Sequence, residues 1–299
     1  MITLILKLNE GMRTELNTLL NENKHTLWFF VWIVGMILLW LWDGSFLNTP
    51  ARELILTASL NTLFFGILVV FFSLLFGWLT AVGLYFLRNA RQQTTNIILT
   101  FFLNIIRSIP QIVGILAGYI ILTTFIQREI LLSTTALLFW MAFVISVFVF
   151  LEVSDLIRER IEHFNKRDFV PALLCCGVKE SRIINIEILW KNSRAHLLHK
   201  LVAIFGISIF LQCSIYFIIS VGLTTDVSST NFPSTLGSVL AKMDSKQDIL
   251  AVSTVLVNPS YLPNLLTNHL QGISVAFIIV FTLLCMYQIS NGLVKRYEL

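Results

Sequence analysis

The chain has 299 residues, of which 56% are hydrophobic and 13% charged, with 24 Phe and a formal net charge of +4. An ordinary soluble domain carries about 25% charged residues, so a water-soluble globular protein is excluded. A mean hydropathy of +0.81 makes lipid the main solvent, and no nucleic-acid partner is expected.

A helix needs about 20 apolar residues to cross the hydrocarbon core. Residues 1–24 are polar and of mixed charge, and read as a cytoplasmic N-terminal segment. The apolar stretch 25–43 that follows has no small-residue cleavage site after it, so it reads as a span and not as a signal peptide. Five more spans are predicted near 59–87, 96–125, 133–152, 200–222 and 271–292. None alternates strictly between apolar and polar residues, so helices fit and a β-barrel does not. The expected fold is an all-α integral membrane protein, with six transmembrane helices in one domain over 25–299. A loop over 153–199 lies between spans four and five, and a segment over 223–270 between spans five and six.

Lys and Arg set the orientation, because they resist translocation. With the N-terminus inside, sixteen of the 21 basic residues fall on the cytoplasmic side, nine of them between Arg158 and Lys200. Only Arg52, Arg128, Lys242 and Lys246 fall outside. Both termini and the 153–199 loop are therefore expected in the cytoplasm, with 44–57 and 223–270 outside.

The third span contains Arg107, an expensive residue inside a bilayer. Either it lies about eleven residues into a span that starts at Asn96, near mid-membrane with Asn104 and Gln111 one turn to either side, or the span starts near Ile105 and Arg107 snorkels to the headgroups. With Ser108, Pro110 (a kink by loss of a backbone donor) and Gln212 of the fifth span, these are the candidates for a translocation path. Gln212, Ser214 and Ser220 are also expected to hydrogen-bond between helices. Gly66, Gly77, Gly83, Gly114 and Gly118 are expected at close helix contacts.

Residues 168–192, DFVPALLCCGVKESRIINIEILWKN, are too charged to span and too apolar for an ordinary loop. Pro171 suits only a first helical turn, and Gly177 suits the left-handed residue that ends a helix. Two short helices meeting at Gly177 are predicted. They form either an interfacial amphipathic hairpin or a docking element for a soluble partner.

This stretch resembles the cytoplasmic "EAA" coupling loop of binding-protein-dependent ABC importer permeases, through Asp168, Phe169, Val170, Ala172, Gly177, Arg182, Ile183, Ile184, Ile188 and Leu189. Pro171 stands at the motif's glutamate position and Trp190 at its terminal proline. Residues 220–240 and the tail QISNGLVKRYEL are similar to the dipeptide, oligopeptide and nickel permease subgroup, whereas NIIRSIPQIVGIL is similar to methionine and phosphonate permeases. The resemblance implies a type I importer fold with a two-helix coupling loop between helices four and five, in a bacterial cytoplasmic (inner) membrane. It also implies a second homologous permease subunit, two ATPase subunits that bind ATP and Mg, and an extracytoplasmic solute-binding protein. A peptide-class solute is expected; methionine, phosphonate, nickel or another small solute, and an ion-coupled secondary transporter, are the alternatives.

Nothing points to chemistry on this chain. It has no G-x-x-x-x-G-K-[ST] phosphate loop, no H-E-x-x-H and no G-x-S-x-G. Cys175, Cys176, Cys213 and Cys285, with the five His, lack metal-ligand spacing. Catalytic residues, a bound cofactor and a metal site are all expected to be absent.

Overall fold

The computed structural model describes residues 24–89, 93–130, 133–220, 232–242, 250, 253–268 and 270–298. The leader before Lys24 and the V-G-L run at 221–223 lie outside these residues. Among the described residues the chain is helical, with five helices long and apolar enough to cross a membrane, or six if one bent pair is a single span. It is an all-α protein of the multi-pass membrane kind.

In chain order the helices are α1 (Lys24–Phe46), α2 (Thr49–Asn89), α3 (Gln93–Ser108), α4 (Gln111–Gln127) and α5 (Thr134–Asn165). They continue as α6 (Phe169–Cys175), α7 (the α-turn Glu180–Arg182 running into a π-helix Ile183–Asn192) and α8 (Arg194–Ser220). The last three are the short α9 (Leu236–Lys242) and α10 (Leu262–Asn268), then the long α11 (Leu270–Glu298).

The main core forms where α2, α4, α5 and α8 meet, around Phe65, Ile115, Tyr119, Met141, Ile145, Ile157 and Ile215. Small residues let these helices approach. A Cβ on Gly66 would meet the Phe205 ring, one on Gly114 the Phe148 ring and one on Gly118 a Val144 methyl. A Cβ on Gly77 would sit 2.6 Å from Val153 Cβ and 3.1 Å from the Phe150 carbonyl. Gly83 departs from the expected close contact, with nothing within 4 Å of its Cβ position.

Helix α1 is peripheral and packs on α11. Trp32 Nε1 donates to Thr282 Oγ1 at 3.2 Å, and the Ser274 hydroxyl donates to the buried Asp43 carboxylate. At the other end of α11, a Cβ on Gly292 would sit 3.1 Å from the His25 backbone nitrogen.

The predicted third span is not one helix. α3 and α4 meet at 92° across Ile109 and Pro110. Proline supplies no backbone donor and disfavours helix at the residue before it. The Ser108 hydroxyl adds to the break by capping the Ile105 carbonyl at 2.8 Å. Pro110 adopts φ −56°, ψ 127°, which is extended and not merely kinked. Helix α3 exposes the apolar side chains of Ile97, Ile98, Phe101, Phe102 and Ile105.

A candidate coupling element and an inserted segment

The loop after α5 is built as a capped helix pair. Asp168 precedes α6, and Pro171 occupies its first turn. Gly177 ends the helix with φ +76°. Its N–H donates to the Leu174 carbonyl at 2.9 Å and the Val178 N–H to Leu173 at 3.1 Å, the paired bonds of a Schellman motif. Leu173 and Val178 both pack on the main core, supplying the apolar contact that accompanies this cap.

The π-helix explains the isoleucines. Bonds from i to i+5 bring residues five apart close to one face, so Ile183 and Ile188, and Ile184 and Leu189, point inward together. All four are at most 5% exposed and join the main core. Two side chains from α2, seven residues and so about two turns apart, fasten the pair: Trp78 Nε1 donates to Asn185 Oδ1 at 2.8 Å, and the Tyr85 hydroxyl donates to Glu180 Oε1 at 2.7 Å. The loop is thus fixed to α2, α5 and α8 and does not hang from the bundle.

The ten residues singled out in this loop divide accordingly. Val170, Ile183, Ile184, Ile188 and Leu189 are buried by the chain itself and Phe169 is half-buried, whereas Asp168, Ala172, Gly177 and Arg182 are exposed. The exposed rim also carries Leu174, Cys175, Cys176, Ile186 and Trp190, the last 71% exposed. Sequence reasoning missed these, although Trp190 at the end of an isoleucine run was a visible signal.

The path candidates are not gathered in one place. Asn104, Arg107, Ser108 and Pro110 are exposed around the α3–α4 elbow, with Gln111 partly buried beside them. Arg107 Nη2 donates to both Asp155 carboxylate oxygens, at 2.7 and 2.8 Å. Gln111 Nε2 reaches the Phe148 carbonyl at 3.4 Å. Arg107 therefore ends a separate helix and is not in the middle of a continuous span. Because both partners of its ion pair are more than half exposed, Arg107→Ala or Asp155→Asn is expected to cost less than about 1 kcal/mol, read as a nearly unchanged melting temperature. A large drop would show that the pair is shielded from solvent.

Gln212 lies elsewhere. Along α8, Lys200 pairs with Glu152 at 2.7 Å and the Tyr216 hydroxyl meets Met141 Sδ at 4.0 Å. Gln212 therefore lies toward the Met141 end of α5, away from the elbow at Asp155. It is fully buried, and neither its amide nitrogen nor its oxygen has a partner among the described residues. Ser214 bonds its own helix at Phe210, so among the described residues neither makes the expected interhelical bond.

Beside Gln212 lies part of the segment expected outside. Phe232, Pro233, Thr235, Leu236, Gly237, Ser238 and Val239 are buried among α2, α8 and α11. Thr235 and Ser238 form a reciprocal cap: the Thr235 N–H donates to Ser238 Oγ at 2.8 Å, and the Ser238 N–H donates to Thr235 Oγ1 at 3.3 Å. Asn61 Nδ2 donates to the Ser234 carbonyl at 2.7 Å, and the Leu236 N–H donates to Thr62 Oγ1 at 2.8 Å. This piece of the chain therefore packs into the bundle against α2, α8 and α11.

No group of three or more His, Cys, Asp or Glu that could hold a metal occurs among the described residues. A cleft of about 480 Å³ opens between α2, α3 and α5, with Tyr85, Arg88, Asn96, Thr100, Arg158 and Glu162 in its wall. Neither the known protein families nor the characterised proteins contain a match to this sequence.

Proposed function

We propose that this chain is the permease subunit of an ATP-driven import system. It forms half of the path for a peptide-class solute and takes its drive from a separate ATPase docked on residues 168–190. The observation that carries this reading is the Gly177-capped helix pair, seated by its isoleucines and by Trp78 and Tyr85, with an apolar rim left exposed. A force applied to such a rim reaches α2, α5 and α8 directly, as a hinge-type transition requires. The partners are two ATPase subunits carrying ATP and Mg, a second homologous permease and an extracytoplasmic solute-binding protein. The membrane is the bacterial inner membrane, with both termini cytoplasmic. The charge distribution supports this orientation, because the nine basic residues between Arg158 and Lys200 would face the ATPase side.

Gly177→Val tests the reading. A Cβ at 177 has open space around it, so the whole cost is the positive φ. Strain of this kind costs about 1–3 kcal/mol and falls on the cap alone. The expected result is normal membrane insertion with about tenfold or weaker ATPase association, largely restored in Gly177→Asn, which tolerates the left-handed region. Full association of Gly177→Val with an ATPase would remove the coupling role and leave an interfacial hairpin.

A further inference from the structure

The inserted segment is held in the manner of a bound peptide. Residues 232–235 precede α9 without forming helix. Asn61 and Thr62, neighbours on α2, pair with the backbone at Ser234 and Leu236, so they would accept many sequences. The Phe232 ring sits in an aromatic slot, with ring centroids 5.7 Å from Tyr119 and 5.9 Å from Tyr216. Those two rings meet edge to face at 6.2 Å. The Tyr216 side chain also interacts with that of Thr235.

The same slot is lined by polar groups that the segment leaves unused. The Tyr119 hydroxyl and both ends of the Gln212 carboxamide are buried without a hydrogen-bond partner among the described residues. Gln212 is one helical turn from Tyr216, on the same face of α8. Buried polar groups are nearly always paired, and each exception calls for an explanation. A ligand with more amide donors and acceptors than residues 232–235 present would supply the missing partners.

We infer that the groove between α2, α4 and α8 is a peptide-binding site, taking an extended backbone beside a bulky apolar or aromatic side chain. Residues 232–242 are a tethered stand-in that fills the groove until such a peptide displaces them. The inference rests on the transport reading and names the solute site within it. Displacement has a native reporter: Gly237 packs directly on Cys213, where an added Cβ would lie 3.0 Å from the sulfur. Cys213 is only partly exposed with the segment in place, and lifting the segment would uncover it further.

The test uses the full chain in nanodiscs, with Cys175→Ser, Cys176→Ser and Cys285→Ala leaving Cys213 as the sole thiol. N-ethylmaleimide alkylation is followed with and without N-acetyl-Phe-Pro-Ser-amide. The peptide is expected to accelerate alkylation about tenfold; because Asn61 would hold segment and peptide alike, Asn61→Ala is expected to raise alkylation before any peptide is added and to leave the apparent affinity nearly unchanged. Phe232→Ala is expected to raise alkylation before any peptide is added. A rate unchanged by saturating peptide in the otherwise native chain overturns the inference, whether or not Phe232→Ala folds. The assay needs no ATPase, so the two readings fail separately. Without a peptide effect in a chain that still assembles with an ATPase, only the groove assignment falls. With a peptide effect but no ATPase partner, the groove stands and ATP-driven coupling falls.

Discussion

Gly77→Ala is expected to destabilise the protein strongly, whereas Gly83→Ala, six residues along the same helix, is expected to be neutral or stabilising. At Gly77 the added methyl would lie 2.6 Å from Val153 Cβ and 3.1 Å from the Phe150 carbonyl. One of those atoms is backbone, so no side-chain rotation relieves the clash, and α2 must move away from α5. Overpacking of this kind costs about 1–3 kcal/mol. At Gly83 the methyl meets nothing within 4 Å, and alanine in a helix interior is favoured over glycine by about 0.5–1 kcal/mol. Thermal unfolding in detergent should therefore give melting temperatures displaced in opposite directions from the unaltered chain. Equal effects would mean that α2 and α5 do not meet at Gly77.

The second large effect separates the two faces of the coupling element. Ile188 is fully buried beneath the π-helix, and Ile186 is 42% exposed on its rim. Ile188→Asp places an unpaired carboxylate among Ile183, Ile184 and the isoleucines of α5, at a cost of several kcal/mol. The loop should then detach from α2, α5 and α8, which limited proteolysis between Asn165 and Arg194 would detect. Ile186→Asp should leave proteolysis and melting unchanged while still abolishing ATPase association. If both variants detach the loop, the rim has no role separate from the seat. If neither does, the seat contributes little.

Much of this architecture was legible in the residues. Hydropathy located the long helices because lipid demands length and apolarity together. Gly177 was readable as a left-handed cap because no other residue near it suits that backbone. Three features were not legible, each for a physical reason. Pro110 signalled a disturbance, but whether proline kinks a helix or parts it by 92° depends on how the freed backbone groups find partners, here with help from Ser108. The isoleucine spacing fits a π-helix, yet sequence patterns are read against a period of 3.6 residues, and a ten-residue π run is outside that expectation. The burial of most of residues 232–239 could not be read from a stretch rich in Ser, Thr and Pro. Its backbone is satisfied by Asn61 and Thr62, more than 170 positions earlier in the chain. Gly77 and Gly83 show the same limit: each lies among large apolar residues, and only the position of α5 separates them.

The candidate site was legible in part. The ten loop residues lie in one structural unit, but half of them serve the chain's own core, so their apolar character is explained without any partner. On the proposed reading the contact role passes to the exposed Ala172, Leu174, Ile186 and Trp190, which a motif centred on isoleucines does not emphasise. The path candidates were chosen for polarity inside apolar helices, which cannot distinguish an exposed elbow around Arg107 from a buried, unpaired amide at Gln212.

The central claim, that an ATPase covers the rim of the 168–190 element, is tested most directly by cross-linking from its own thiols. Cys175 and Cys176 are both exposed beside Gly177. A short thiol-to-amine cross-linker applied to native membranes should join them to a second polypeptide carrying a G-x-x-x-x-G-K-[ST] phosphate loop. That adduct should be strongly reduced in Gly177→Val membranes and restored in Gly177→Asn. Cysteines that stay freely alkylated and join no nucleotide-binding protein, or that react with an impermeant maleimide from the outer face of intact cells, would contradict the account.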